Sequence, residues 1–107
     1  MAKSTFPSVE EIIVNYKNPT KEGVILIEKA YAFAQNAHDG QKRYSGEPYF
    51  THVAYAALNL ATIHMYATTI AAGLLHDTIE DADVTPETLK QEFGKEILII
   101  THFIKVT

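Results

Sequence analysis

Apolar residues recur at helical spacing along most of this chain, and the punctuation between the runs is that of helix ends. Ile27, Ala30, Tyr31, Ala34 and Ala37 fall on one stripe, and His52, Ala56, Leu60 and Ile63 on another. Ser8 followed by Glu11 is a capping-box pattern opening a short helix to about Tyr16. Asn18-Pro19 breaks that helix, and Thr20 is the N-cap of a longer one to about His38. Pro48 serves as a first-turn residue for a helix to about Ile63, and a single helix is expected over 68–80. Thr85-Pro86-Glu87 starts a short helix that Gly94 ends, and 95–107 reads as a last, very apolar one. No β alternation persists beyond a few residues. The expected fold class is all-α, a single domain in 107 residues, able to bury a useful core without much reserve.

Composition narrows the chemistry. Hydrophobic residues make up 47%, which excludes a disordered tail. With no cysteine, disulfides, iron–sulfur clusters and thiolate zinc sites are ruled out, so any metal must be held by His, Asp, Glu or water. Met1-Ala2-Lys3-Ser4 starts no apolar signal region, and no apolar run is long enough to span a bilayer. A cytoplasmic protein with no membrane partner is the default. The formal net charge of −4 argues against duplex nucleic acid as a partner. A small phosphorylated ligand remains compatible, because a bound divalent cation supplies positive charge.

The run Gly73-Leu74-Leu75-His76-Asp77-Thr78-Ile79-Glu80-Asp81 carries the chemistry. Four ionisable groups follow an apolar stretch, a costly arrangement unless a metal or partners offset the desolvation. On a continuous helix His76 pairs with Glu80 and Asp77 with Asp81, four apart. His52, mid-helix on an earlier segment, approaches His76 and Asp77 if the two helices pack antiparallel. Two imidazoles and a carboxylate form a mixed N/O site suited to Mn, Fe or Zn, with Glu80 and Asp81 left to orient or deprotonate a metal-bound water. The competing reading of His76-Asp77 is an ordinary polar helix end, and that of His52 a satisfied core histidine. His38, His64 and His102 are read as structural or surface residues. The loop Gln41-Lys42-Arg43-Tyr44-Ser45-Gly46-Glu47-Pro48-Tyr49 is either a solvated connection or a ligand loop, in which Arg43 stacks on a purine and Ser45 bonds its edge or a phosphate.

Ala37-His38-Asp39-Gly40-Gln41, Arg43, Ser45-Gly46-Glu47-Pro48-Tyr49 with His52, Ala72-Gly73-Leu74-Leu75-His76-Asp77, Glu80-Asp81 and Phe93-Gly94 together resemble the N-terminal HD hydrolase domain of the RelA/SpoT family. These are bifunctional synthetase/hydrolases of guanosine tetra- and pentaphosphate, (p)ppGpp, in the bacterial stringent response. The likeness covers about residues 20–97. It implies an HD-type helical fold and Mn²⁺-dependent removal of the 3′-pyrophosphate from (p)ppGpp, giving GDP or GTP. Residue by residue, it implies His52, His76 and Asp77 as metal ligands. Glu80 and Asp81 become the catalytic acidic pair, and Arg43 and Ser45 part of the guanosine loop. Val53 stands where the family has a proline, Tyr44 where a basic or small residue is common, and 101–105 departs from the family's pattern. The family's fourth metal ligand, an aspartate on a later helix, and its synthetase domain have no counterpart in this sequence, so weak or absent activity is the expectation for this chain in isolation, three ligands binding less firmly than four.

The end of the chain in an apolar helix reads as a domain cut short, or as one whose last helix packs on something outside this sequence, with self-association through Ile97, Ile100, Phe103 and Ile104 as the expected consequence. Two other functions stay open at this point. One is a non-catalytic module binding guanine nucleotide or metal. The other is an HD phosphohydrolase acting on different nucleotides.

Overall fold

The computed structural model describes residues 6–17 and 19–106, excepting the side chains of 105 and 106. The expected signal-free N-terminus and the Asn18 part of the first break lie outside the described residues. Seven helical segments follow one another: α1 (Val9–Asn15), α2 (Lys21–Ala37), α3 (Phe50–Thr62), α4 (Ala67–Leu75), α5 (Thr78–Asp81), α6 (Pro86–Phe93) and α7 (Lys95–Val106). Among the described residues there is no strand, only an isolated antiparallel bridge between Lys42 and Pro48. The fold is all-α, as the periodicity implies.

The caps work as their residue types dictate. Ser8 Oγ accepts from the Glu11 amide, Thr20 Oγ1 from the Gly23 amide, and Thr85 Oγ1 from the Thr88 amide, each satisfying a donor that the first helical turn leaves without a partner. Gly94 ends α6 at φ 92°, a left-handed region open to glycine at little cost.

α4 is the centre of the packing, lying against α2, α3 and α7. Its residues from Ile70 to Leu75 are all buried, because the helix is apolar on every side. α1 closes the other side of α2 and α3. Tyr31 donates from its hydroxyl to the Pro7 carbonyl at 2.8 Å, and burial pushes that phenol up to about 12. Phe50 meets Tyr31 and Phe6 edge-on, with ring centroids 4.9 and 5.1 Å away.

Gly23 packs without room for a side chain against Ala67, the first residue of α4. A Cβ there would sit 2.8 Å from the capping Thr20 Oγ1 and 3.0 Å from Ala67 Cβ, and would also meet the Tyr16 hydroxyl. Gly23→Ala is therefore expected to destabilise by roughly 1–3 kcal/mol, even though alanine is the better helix former. A shift of the urea midpoint to lower concentration checks it.

Three expectations need correction. α3 begins at Phe50, not at Pro48, because Pro48 is engaged in the bridge with Lys42. The stripe His52, Ala56, Leu60 is only half-buried and Ile63 is 61% exposed; the core face of α3 is Phe50, Val53, Ala54, Ala57 and Ala61. Ile97, expected on an outer contact face, is a core residue at 4% exposure, whereas Phe103 is 66% exposed.

Candidate metal centre

The helix expected over 68–80 is interrupted at His76 and Asp77. Thr78 is fully buried and its hydroxyl donates to the Leu75 carbonyl at 2.8 Å across the interruption. Asp77 sits at φ −103°, ψ 0°, and one further turn, α5, follows. The break separates the acidic pair. Glu80 turns with His76 toward a cavity of about 490 Å³, whose other walls include Ile79, Pro86, Leu98 and Phe103. Asp81 turns the other way, toward Tyr49. The two carboxylates thus face different neighbours, Glu80 the cavity that it shares with His76 and Asp81 the Tyr49 hydroxyl that also reaches Asp77.

The packing of α3 on α4 brings His52 to this corner. His52 Nε2 lies 3.4 Å and His76 Nε2 3.1 Å from Asp77 Oδ2, and one ligand atom from each of the three residues lies within 4.8 Å of the others. The side chains of His76 and Asp77 are 15% exposed and that of His52 40%, so the cluster is reached from the His52 side.

The tautomer of His76 decides what this cluster can hold. His76 Nδ1 faces the Gly73 carbonyl at 2.5 Å and must carry the proton of that bond. Nε2 then points at the Asp77 carboxylate, and two acceptors that close need a cation between them, either a proton or a metal ion. A histidine with one nitrogen anchored on a backbone carbonyl and the other facing a carboxylate is the arrangement in which metal-ligating imidazoles are held. The donor set fits a divalent metal with open positions for water or substrate.

The hydrogen bond from His76 holds the Asp77 carboxyl down at about 2, against the opposing effect of burial, with Tyr49 and His52 adding to the lowering. A depressed carboxyl contributes stability fully present above its usual 3.8 and lost as pH falls toward 2. With chelator present, the protein is expected to lose on the order of 1 kcal/mol across that window, after allowance for solvent screening. Asp77→Asn should lack this part of the acid limb, as urea titrations at pH 5 and pH 2.5 would register.

The loop 39–49 folds as a small hairpin. The Arg43 amide donates to the Glu47 carbonyl at 2.7 Å and the Tyr49 amide to the Gln41 carbonyl at 2.9 Å, with Gly46 turning at φ 93°. Arg43 pairs with Glu47 at 3.8 Å and, with His52, Tyr55 and Asn59, lines a cleft of about 360 Å³. Ser45 stands at the exposed turn beside that cleft and is not among the residues lining it.

Sequence reasoning did not find the role of Tyr49. Its hydroxyl lies 3.0 Å from Asp77 Oδ2 and 2.9 Å from Asp81 Oδ2, and burial followed by these two bonds pushes the phenol above its ordinary range. Its position three residues before His52 was the available signal, because that spacing returns the ring to the His52 side of the chain. His38, read as structural, is buried at 2% exposure and stacks on the Tyr49 ring.

Comparison with known proteins gives a consistent set of relatives. The family described as "HD domain" matches residues 30–105. The chain is 43% identical over 89 residues to a guanosine-3′,5′-bis(diphosphate) 3′-pyrophosphohydrolase of Aquifex aeolicus, covering 83% of this chain and 12% of that protein. It is 45% identical over 87 residues to a GTP pyrophosphokinase rsh of Brucella ovis, covering 81% and 11%. A protein of Mycoplasma pneumoniae with the name probable guanosine-3′,5′-bis(diphosphate) 3′-pyrophosphohydrolase is 48% identical over 87 residues, covering 80% and 12%. The chain therefore spans about an eighth or less of the length of these relatives.

Proposed function

The chain belongs to the HD domain family, and from that premise we propose that it forms the metal-dependent hydrolytic site of a RelA/SpoT-type (p)ppGpp 3′-pyrophosphohydrolase. The observation that carries this reading is the convergence of His52, His76 and Asp77, with His76 Nδ1 anchored on Gly73. Those three residues would hold Mn²⁺ or a similar divalent ion. Bound there, such an ion would supply a water of lowered pKa and Lewis-acid polarisation of a phosphoryl oxygen.

The chain's own groups do the rest. One carboxylate of the pair, Asp81 held by Tyr49 or Glu80 beside His76, takes the proton of the attacking water while the other orients that water. The water oxygen bonds to phosphorus, the bond from phosphorus to the 3′ oxygen breaks, that oxygen takes up the proton, and pyrophosphate leaves with GDP or GTP as the other product. Arg43 at the cleft beside His52 takes the guanosine, by stacking on the base or pairing with a phosphate, and Ser45 closes on it from the turn. The relatives with printed hydrolase names support the substrate class. No described helix is long and apolar enough to cross a membrane.

The test is pyrophosphate release from ppGpp with and without Mn²⁺, alongside calorimetry for binding. Mn²⁺-dependent release is the expected outcome. Mn²⁺-dependent binding with no release would replace hydrolysis by a nucleotide-binding role for the same shell. Equal turnover of adenine and guanine nucleotides would overturn the substrate class.

A further inference from the structure

Tyr49 carries one phenolic proton and faces two carboxylates, at 3.0 Å from Asp77 and 2.9 Å from Asp81. One O–H cannot serve both in full at once. Asp77 Oδ2 is also the atom nearest both imidazoles, so it is the oxygen that a cation in the cluster would take. The phenol is well braced. Its ring stacks on buried His38, with centroids 4.9 Å apart and planes inclined by 26°, and meets His52 edge-on at 6.0 Å.

A second tie holds the same corner independently. The Gln41 side-chain amide donates to the Asp81 carbonyl. That commits the Gln41 oxygen as an acceptor, 3.1 Å from His38 Nδ1, so His38 donates from Nδ1. The hairpin 39–49 is thereby fastened to α5 through both the backbone and the side chain of Asp81.

We propose that Tyr49 is a positioning residue whose hydroxyl orients Asp77 for metal and holds Asp81 in place beside it, with His38 and Gln41 bracing the hairpin that presents it. This rests on the metal-site reading above and extends it to residues outside the donor set. Partners of ligating carboxylates set metal affinity, typically by about 10–100-fold.

The test uses Mn²⁺ affinity, read from the paramagnetic resonance signal of the free ion, together with thermal melting. Tyr49→Phe keeps the stack on His38 and removes only the hydroxyl. It is expected to weaken Mn²⁺ binding about tenfold while leaving the melting temperature within about 2 °C of the parent. Tyr49→Leu, which also removes the stack, should lower both. Gln41→Ala should speed amide hydrogen exchange in α5 without touching the donors. An affinity for Mn²⁺ within twofold of the parent in Tyr49→Phe overturns the proposal while the metal site itself stands. A parent that binds no Mn²⁺, or binds it equally well as His76→Ala, overturns the metal-site reading and this inference together.

Discussion

His76→Ala is expected to abolish measurable Mn²⁺ binding and to lower ppGpp hydrolysis by more than about 100-fold, a larger loss than removing a partner of a ligand brings. The reason is specific to its two nitrogens. Nδ1 is committed to the Gly73 carbonyl, so the ring cannot turn, and Nε2 stands 3.1 Å from Asp77 Oδ2. Alanine removes the donor and leaves Asp77 and His52 facing an emptied corner. Its effect on folding should be modest, because the side chain sits at the end of α4 and is partly exposed. His64→Asn is the control. His64 lies at φ 67° in the connection after α3, a conformation asparagine tolerates, and its replacement should leave binding and hydrolysis unchanged. Retained hydrolysis in His76→Ala would show that the chemistry resides elsewhere.

The second large effect is on stability. Leu74→Ala should cost about 3 kcal/mol, by lost burial and the cavity left behind. Leu74 is fully buried in α4, the helix that contacts α2, α3 and α7, so its side chain sits among elements unable to close over the gap without moving one another. In a domain of this size, with total stability of order 5–15 kcal/mol, such a loss moves the urea midpoint well below that of the parent. Ile25→Ala deletes a side chain that is 55% exposed and should change stability by no more than about 0.5 kcal/mol. If the two variants unfolded together, α4 would not be the centre of the packing. Because Leu74 lies two residues before His76, weakened Mn²⁺ binding in folded Leu74→Ala would report how far the rigidity of α4 sets the donor geometry.

Much of the architecture was legible because it is local. Ser8, Thr20 and Thr85 cap the helices their side chains were expected to cap, and Gly94 ends α6, since each device acts over three or four residues. The donor residues were legible for a similar reason. His76-Asp77 after an apolar run is a local conflict between charge and burial, visible without knowing what lies opposite. Less legible was Thr78. A threonine inside a helical pattern signals nothing unusual, yet Thr78 is fully buried and bonds the Leu75 carbonyl at the point where the helix is interrupted. The stripe on α3 misled because alanines at 54, 57 and 61 carry little hydrophobic weight in a periodicity, although they are the positions where helices come close enough to pack.

By itself the sequence determined that this chain is helical, where most helices start and stop, and which residue types a metal could find. Capping bonds, proline and glycine geometry and helical periodicity all act within a turn or two of the chain. Only the tertiary structure decided that His52 meets His76 and Asp77, that Ile97 turns inward, and that Tyr49 bridges two carboxylates. Those outcomes depend on how α3, α4 and α7 pack and on how the hairpin 39–49 lies against α5. Contacts between residues tens of positions apart are set by the shape of the whole core, which no local pattern encodes.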